Sequence, residues 1–262
     1  MHLKATTTTL LTLAAAAGLA AAAPVDPYPP TLQTKSFRLV INVTDPSKDI
    51  TPPVHGQEIF PYFINSSYIR AGPASPGAGS VFIQYPNPKP SSDMWSRFGG
   101  QLLTTQGNAD NLLGLKKVEP DWDTTPIPWD EPRYPMTFTP GNGSMGVQLA
   151  AGGYFAYVRP NEMSGGLGMF AVCRVDLGQR DHHGNPRWLQ ALDFFGPSYD
   201  AGGEWGYHVP EGCVLVRLVA QCEKFVDVPE GSVAKPFWDA AEEVRCYEDA
   251  KGIDWSLYVF RP

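Results

Sequence analysis

After residue 23 the 262-residue chain has no uncharged apolar run approaching the ~20 residues a bilayer crossing needs, so no membrane insertion is expected of the mature protein. Charge is scarce: 18% of residues are charged, 27 acidic against 20 basic, for a formal net charge of −7. The sole dibasic pair is Lys116-Lys117. An acidic chain without a Lys/Arg cluster is a poor partner for nucleic acid and for anionic membrane surfaces. H-E-x-x-H, G-x-S-x-G, C-x-x-C and the P-loop are all missing, and with them the zincin, nucleophile-elbow, thioredoxin-like and nucleotide-cradle chemistries. Gly141 to Gly146 formally spells G-x-G-x-x-G, but it opens no helix and contains a glycosylation sequon, so it reads as a hairpin turn. His182-His183 is the one doublet of metal-capable side chains. It lacks a third ligand nearby and reads as a solvated turn, so neither a metal nor a cofactor is expected.

What the chain does have points outward. Leu10 to Ala23 is an uncharged Leu/Ala run behind a short basic start, and it ends in small residues followed at once by Pro24, Pro27, Pro29 and Pro30. Residues 1–23 therefore read as a cleaved secretory signal, too short for a span. Four cysteines, Cys173, Cys213, Cys222 and Cys246, make an even set without C-x-x-C spacing, which favours two disulfides over free thiols or zinc. Three sequons, at Asn42, Asn65 and Asn142, are candidate N-glycan acceptors.

The 26 Gly, 26 Pro and 12% aromatic residues, with few helix formers, point to an all-β fold. Beyond the signal, residues 24–35 form a Pro-rich segment and residues 36–262 one β-rich domain. Ser36 to Val43 alternates cleanly, with Phe37, Leu39, Ile41 and Val43 on one face. Asn42 is placed on the opposite, solvent face. Further strands are expected over 57–64, 80–85, 134–139, 145–149, 153–158, 168–175, 188–195, 214–221 and 255–260. One helix is expected over 235–247, with Pro236 in its first turn. Short strands and Gly/Pro-rich turns together predict a β-sandwich or jelly-roll-like core with long loops and one short C-terminal helix. Residues 86–140 hold nine prolines, among them Pro86 and Pro140, and read as a long ordered insertion.

Cys213 and Cys222 lie nine residues apart on one extended segment, roughly 30 Å at strand rise, and so cannot bridge each other. Two connectivities remain, and Cys173 with Cys222, leaving Cys213 with Cys246, is preferred because it ties adjacent strands and staples the helix. Carboxylates are plentiful at Asp121, Asp123, Asp130, Glu131, Asp193, Asp200 and Glu204, but spacing places no pair across a cleft as glycoside hydrolysis requires. No catalytic residue is assigned. Trp95, Trp122 and Trp129 sit beside Asp residues and are the candidate ligand-contact aromatics, since rings can stack on sugar faces while polar neighbours bond hydroxyls.

The stretch Ser36-Phe37-Arg38-Leu39-Val40-Ile41-Asn42-Val43-Thr44-Asp45-Pro46-Ser47-Lys48-Asp49, just after the signal, resembles the opening of a family of small secreted fungal (ascomycete) proteins of unknown function. Pro210-Glu211-Gly212-Cys213, followed by a strand and Gln221-Cys222, resembles that family's Cys-x8-Cys element. The resemblance implies fungal origin, secretion and an all-β core, and brings no catalytic residue. The expected role is extracellular binding or interaction, with polysaccharide or a surface protein as partner. The alternatives are a carbohydrate-active hydrolase using loop carboxylates and a structural cell-wall protein.

Overall fold

Residues 28–86, 100–105, 108–118, 133–141, 143, 147–149, 158–160, 168–180, 182–196, 198–199, 203, 205–206 and 208–258 are described by the computed structural model. Runs of β-branched and aromatic residues with period two build its strands. In chain order these are β1 (Leu32–Thr34), β2 (Ser36–Val43), β3 (Glu58–Phe63), β4 (Ile69–Ala74), β5 (Val81–Tyr85), β6 (Gln101–Thr104), β7 (Leu113–Lys117) and β8 (Arg133–Pro140). They continue with β9 (Val147–Leu149), β10 (Val158–Pro160), β11 (Met169–Arg180), β12 (Pro186–Phe195), β13 (Ser198–Tyr199), β14 (Trp205–Gly206), β15 (Cys213–Glu223) and β16 (Val244–Cys246). One α-helix, α1 (Lys235–Asp239), packs beside them.

Ten strands join antiparallel in the order β12-β11-β15-β2-β3-β4-β8-β7-β6-β5, and two further pairings, β2 with β5 and β8 with β12, carry the sheet back onto itself. The expected all-β, sandwich-like core with a single short helix is present, its two walls joined through β2 and β8. β2 pairs with β15 along one edge; along the other it pairs first with β5, over Ser36 to Arg38, and then with β3 at Val40. β8 pairs with β7 along one edge, and with β12 and then β4 along the other. Going round through β2, β5, β6, β7, β8, β12, β11 and β15, the ladder closes, which removes the open edges that invite aggregation.

Rows of alternate residues fill the interior. Phe37, Phe82 and Phe138 stack in series, with centroids 6.3 and 6.1 Å apart, against Leu39, Ile41, Met136, Val172, Leu192 and Leu218. Each such large side chain contributes on the order of 2 kcal/mol by leaving water. A second cluster seats Trp238 and Ala241 from the α1 region against Ile83 of β5 and Leu103 of β6.

Several expectations need correction. The strand over Ser36–Val43 is observed, but its second face is covered too: Val40 is 1% and Asn42 7% exposed, so Asn42 does not face solvent. A central strand paired along both edges has little open face. Within 86–140, the described strands β6, β7 and β8 are members of the main sheet. The helix stops at Asp239. Beyond it the Glu242 N–H bonds to the Gln84 carbonyl, and Tyr247 exchanges bonds with Ala220 and Cys222, so hydrogen bonds to the sheet replace the next helical turns. Residues 255–257 form a single 3-10 turn capped by Asp254 rather than a strand.

All four cysteines are bonded, as Cys173–Cys213 and Cys222–Cys246, not in the preferred pairing. Antiparallel β11 meets β15 at its beginning, where Phe170 faces Val216, so Cys173 lands directly opposite Cys213. At the other end of β15, Cys222 reaches Cys246 on β16, which in turn pairs with β1. The loops closed span 40 and 24 residues. Replacing Cys222 and Cys246 together by Ala is expected to cost about 3 kcal/mol in the urea midpoint extrapolation. The loss should be local first, with hydrogen-exchange protection of residues 244–247 falling before that of β2 and β15.

Candidate functional site

Two grooves lie beside the β3–β4 hairpin, and the pairing pattern explains both. In β11 the core row Phe170 and Val172 continues to Arg174; in β12 the core row Phe194 and Leu192 continues to Gln190 and Trp188. The β11–β12 hairpin is longer than the core it covers, so these rows run out of the interior and their last members are exposed. The register places Arg174 opposite Gln190 and Asp176 opposite Trp188, which makes Arg174 and Trp188 diagonal neighbours on one face. The Arg174 guanidinium lies over the indole, 4.6 Å from its centroid. Trp188 remains 46% exposed.

This ribbon forms one wall of a groove of about 370 Å³. The other wall comes from Thr51, Pro52, Tyr62 and Pro73. The Tyr62 hydroxyl donates to the Pro73 carbonyl at 2.5 Å, and burial pushes its pKa up, so the phenol stays protonated. Gln190 donates to the Pro52 carbonyl at 2.6 Å, fixing the amide across the groove floor. Gly72 makes the close approach workable: a Cβ there would sit 2.5 Å from the Gln190 carbonyl oxygen and 3.2 Å from the Tyr62 ring. Among the described residues no carboxylate lines this groove.

The second groove, about 490 Å³, runs between β2, β5 and the 224–229 segment, with Phe60, Val226, Val228 and Trp238 as apolar walls. Phe60 and Tyr62 stand edge to face at 5.5 Å on the same side of β3, so one aromatic row passes from this groove to the first. Its polar end is Arg38, whose Nε donates to Glu223 at 2.5 Å and whose Nη1 donates to the Gly79 carbonyl at 2.6 Å. Beneath it lies Glu58, 1% exposed, accepting from Lys251 at 2.8 Å and from the Gly77 and Gly79 N–H groups at 2.9 and 3.0 Å. A Cβ at Gly79 would strike the Glu58 side chain, so glycine is required for that cradle. Burial alone would raise the Glu58 pKa. The Lys251 ammonium and the two backbone donors outweigh it and hold the carboxyl below its ordinary value.

Asp193 occupies neither groove. Its side chain is fully buried and accepts from Arg70 at 2.5 Å through one oxygen and from Arg133 at 2.5 and 2.8 Å through the other. Fully buried between two guanidiniums and away from both grooves, it ties strands together rather than facing a ligand. Of the other carboxylates weighed for hydrolysis, Asp121, Asp123, Asp130, Glu131, Asp200 and Glu204 lie outside the described residues. Glu223 and Asp227, which line the larger groove, are ion-paired with Arg38 and Lys235. Trp95, Trp122 and Trp129 also lie outside the described residues, as does Asn142. Asn65 is exposed at the tip of the β3–β4 hairpin. His182 and His183 occupy the exposed β11–β12 turn with rings 3.8 Å apart, and the described residues contain no group of three metal-capable side chains. Trp188 was read only as the start of a strand. The signal that marks it is its parity with Gln190, Leu192 and Phe194 in a hairpin too long for its core.

Fold and grooves define an all-β protein stabilised by two disulfides, with an open aromatic groove. It is similar over most of its length to the antigenic protein SchS34 of Stachybotrys chartarum, a fungal protein: 25% identical over 242 residues, covering 88% of this chain and 94% of that one. No family profile and no solved structure matches the chain.

Two outcomes follow from the charged residues. Asp193→Ala leaves two guanidiniums without their shared acceptor, one of them buried. It should destabilise by about 3–5 kcal/mol in chemical denaturation, or abolish folding. For Glu58 the folded pKa is depressed, so its contribution is present above the unfolded glutamate pKa of about 4.3 and is lost as pH falls through the folded value. Stability of the wild type should therefore fall below about pH 4.3. Glu58→Gln should be less stable at pH 7 and show a shallower acid slope, measured by urea midpoints from pH 3 to 7.

Proposed function

We propose that the protein is exported by a fungal cell and binds polysaccharide at an extracellular surface through the Trp188 groove. The observation that carries this reading is the half-exposed indole with Arg174 stacked on it, held at the rim of a groove of a size suited to one sugar ring. A pyranose offers a face of C–H groups that covers an aromatic ring, and a rim of hydroxyls that bond planar polar groups such as the guanidinium of Arg174 and the amide of Gln190. The Tyr62 ring and the Pro52 and Pro73 rings supply further apolar surface that loses little entropy when a ligand orders it. The net charge of −7 disfavours polyanions, so a neutral chain is the ligand class.

Export is supported by the Leu10 to Ala23 leader and by the two disulfides, which persist in oxidising compartments. That the Stachybotrys relative is called antigenic fits a protein met outside the cell. A hydrolytic reading gains no comparable support, because the groove with the exposed aromatic has no carboxylate among the described residues.

The test is co-sedimentation of the secreted protein with insoluble neutral polysaccharides: chitin, β-1,3-glucan and cellulose. Retention on at least one is expected, with Trp188→Ala weakening it by at least about tenfold, or 1.4 kcal/mol. The variant's melting temperature should stay close to wild type, since the side chain lies outside the core. Retention on none of the three, or equal retention of the variant, would falsify the assignment.

A further inference from the structure

The β3–β4 hairpin carries a second exposed ring with a different explanation. Ile59 and Pro61 of β3 face inward and are buried, and the same row ends at Phe63, which is 56% exposed at the hairpin tip. Two residues further on stands Asn65 of the sequon Asn65-Ser66-Ser67. The Asn65 Oδ1 accepts from the Ser67 N–H at 2.9 Å and the Ser67 hydroxyl at 3.1 Å, while the Ile64 and Asn65 N–H groups bond to the Tyr68 carbonyl. The turn is thus closed by its own hydrogen bonds, and Asn65 is exposed in it two residues after the exposed Phe63. Of the other two sequons, Asn42 is buried in the central strand and Asn142 lies outside the described residues.

We propose that Asn65 is an N-glycosylated position of this protein and that the first sugar of its glycan covers the Phe63 ring. In the transfer, the Asn65 Nδ2 displaces a lipid-linked pyrophosphate from C1 of the donor oligosaccharide. The Nδ2–C1 bond forms, the C1–O bond to the pyrophosphate breaks, and the amide proton leaves with the lipid pyrophosphate. Phe63 ends β3 and Asn65 follows it two residues later in the turn, so a sugar attached there lies within reach of the ring. The C–H face of the sugar then shields the exposed part of an aromatic that is 56% accessible, and the hairpin gains a packed cap. This rests on passage through the secretory route and is independent of the polysaccharide reading.

The experiment is secretion of the full chain from a yeast host, peptide mapping with and without peptide-N-glycosidase, and thermal melts. The glycan is expected on the Asn65 peptide, with enzymatic release converting Asn65 to Asp, and Ser67→Ala should abolish it while leaving the asparagine in place. Phe63→Ala should lower the melting temperature of the glycosylated protein by about 3 °C and that of the Asn65→Gln protein by about 1 °C or less. Phe63→Tyr should keep the larger value. Chain recovered from the medium with Asn65 unmodified would overturn the assignment. Equal shifts for Phe63→Ala with and without the glycan would overturn the packing. Failure of either leaves polysaccharide binding by the same secreted protein to be read separately.

Discussion

The closed sheet depends on one carboxylate. Asp193 sits where β8 stops pairing with β12 and begins pairing with β4: Asp193 faces Pro135 in register, and Arg70 faces Thr137 two positions on. Pro135 has no N–H to give, so the ladder is weakened at the crossing. Asp193 ties it again by accepting from Arg70 of β4 and Arg133 of β8 at once. Burying Asp193 and Arg70 is costly, and apolar residues of the same volume would stabilise as well or better. What apolar residues lack is direction. A carboxylate between two forked guanidiniums is satisfied in one relative placement of three strands, and a slip of one residue would point Asp193 to the other face. The two walls are joined at this seam, so the register chosen there propagates into both.

The opposite wall is fixed by covalent means. β15 pairs with β11 over Cys213 to Val216 and with β2 over Val216 to Glu223, and a cysteine stands at or next to each of its ends. Cys213 holds it to β11, and Cys222 holds it to the β1–β16 pair outside the main sheet. Between the seam at Asp193 and the stapled strand lies the stacked series Phe37, Phe82 and Phe138, drawn from strands far apart in sequence. Most contacts of the fold are non-local, so its strands are held by closure of the sheet rather than by local propensity.

Period-two patterning made β2, β11, β12 and β15 legible, because each carries an unbroken apolar row on a central strand. It did not reveal β4, whose Ile69 to Ala74 contains Gly72 and Pro73, or β6 and β7, which are short and lie among prolines. Those strands exist because neighbours on both sides supply pairing partners, a tertiary cause that no local window contains. The same limit explains the helix and the cysteines. Phe237, Ala240, Ala241 and Val244 have helical spacing, yet the hydrogen bonds offered by Gln84 and Ala220 are stronger claims on that segment than another helical turn. Cysteine count and spacing showed that two bonds form and ruled out one connectivity. Choosing between the rest required the offset of β11 against β15, which only the register supplies.

The site was illegible for a related reason, and the reason generalises within this molecule. Aromatic residues near acidic loops drew attention to Trp95, Trp122 and Trp129, whereas Trp188, one of the exposed aromatics among the described residues, lies inside a strand and has the parity of a core residue. Alternation tells which face a side chain takes, and only the extent of the covering layer tells whether that face is wet. Where a hairpin outruns its core, the buried row continues into solvent and must end on something. In β11 and β12 it ends on a cation stacked against an indole, and in β3 on a phenylalanine beside a sequon. A row ending in alanine or serine would have been cheaper in water. Both rows end on large rings, and the proposed contacts, a free sugar at Trp188 and an attached one at Phe63, rest on that shared geometry.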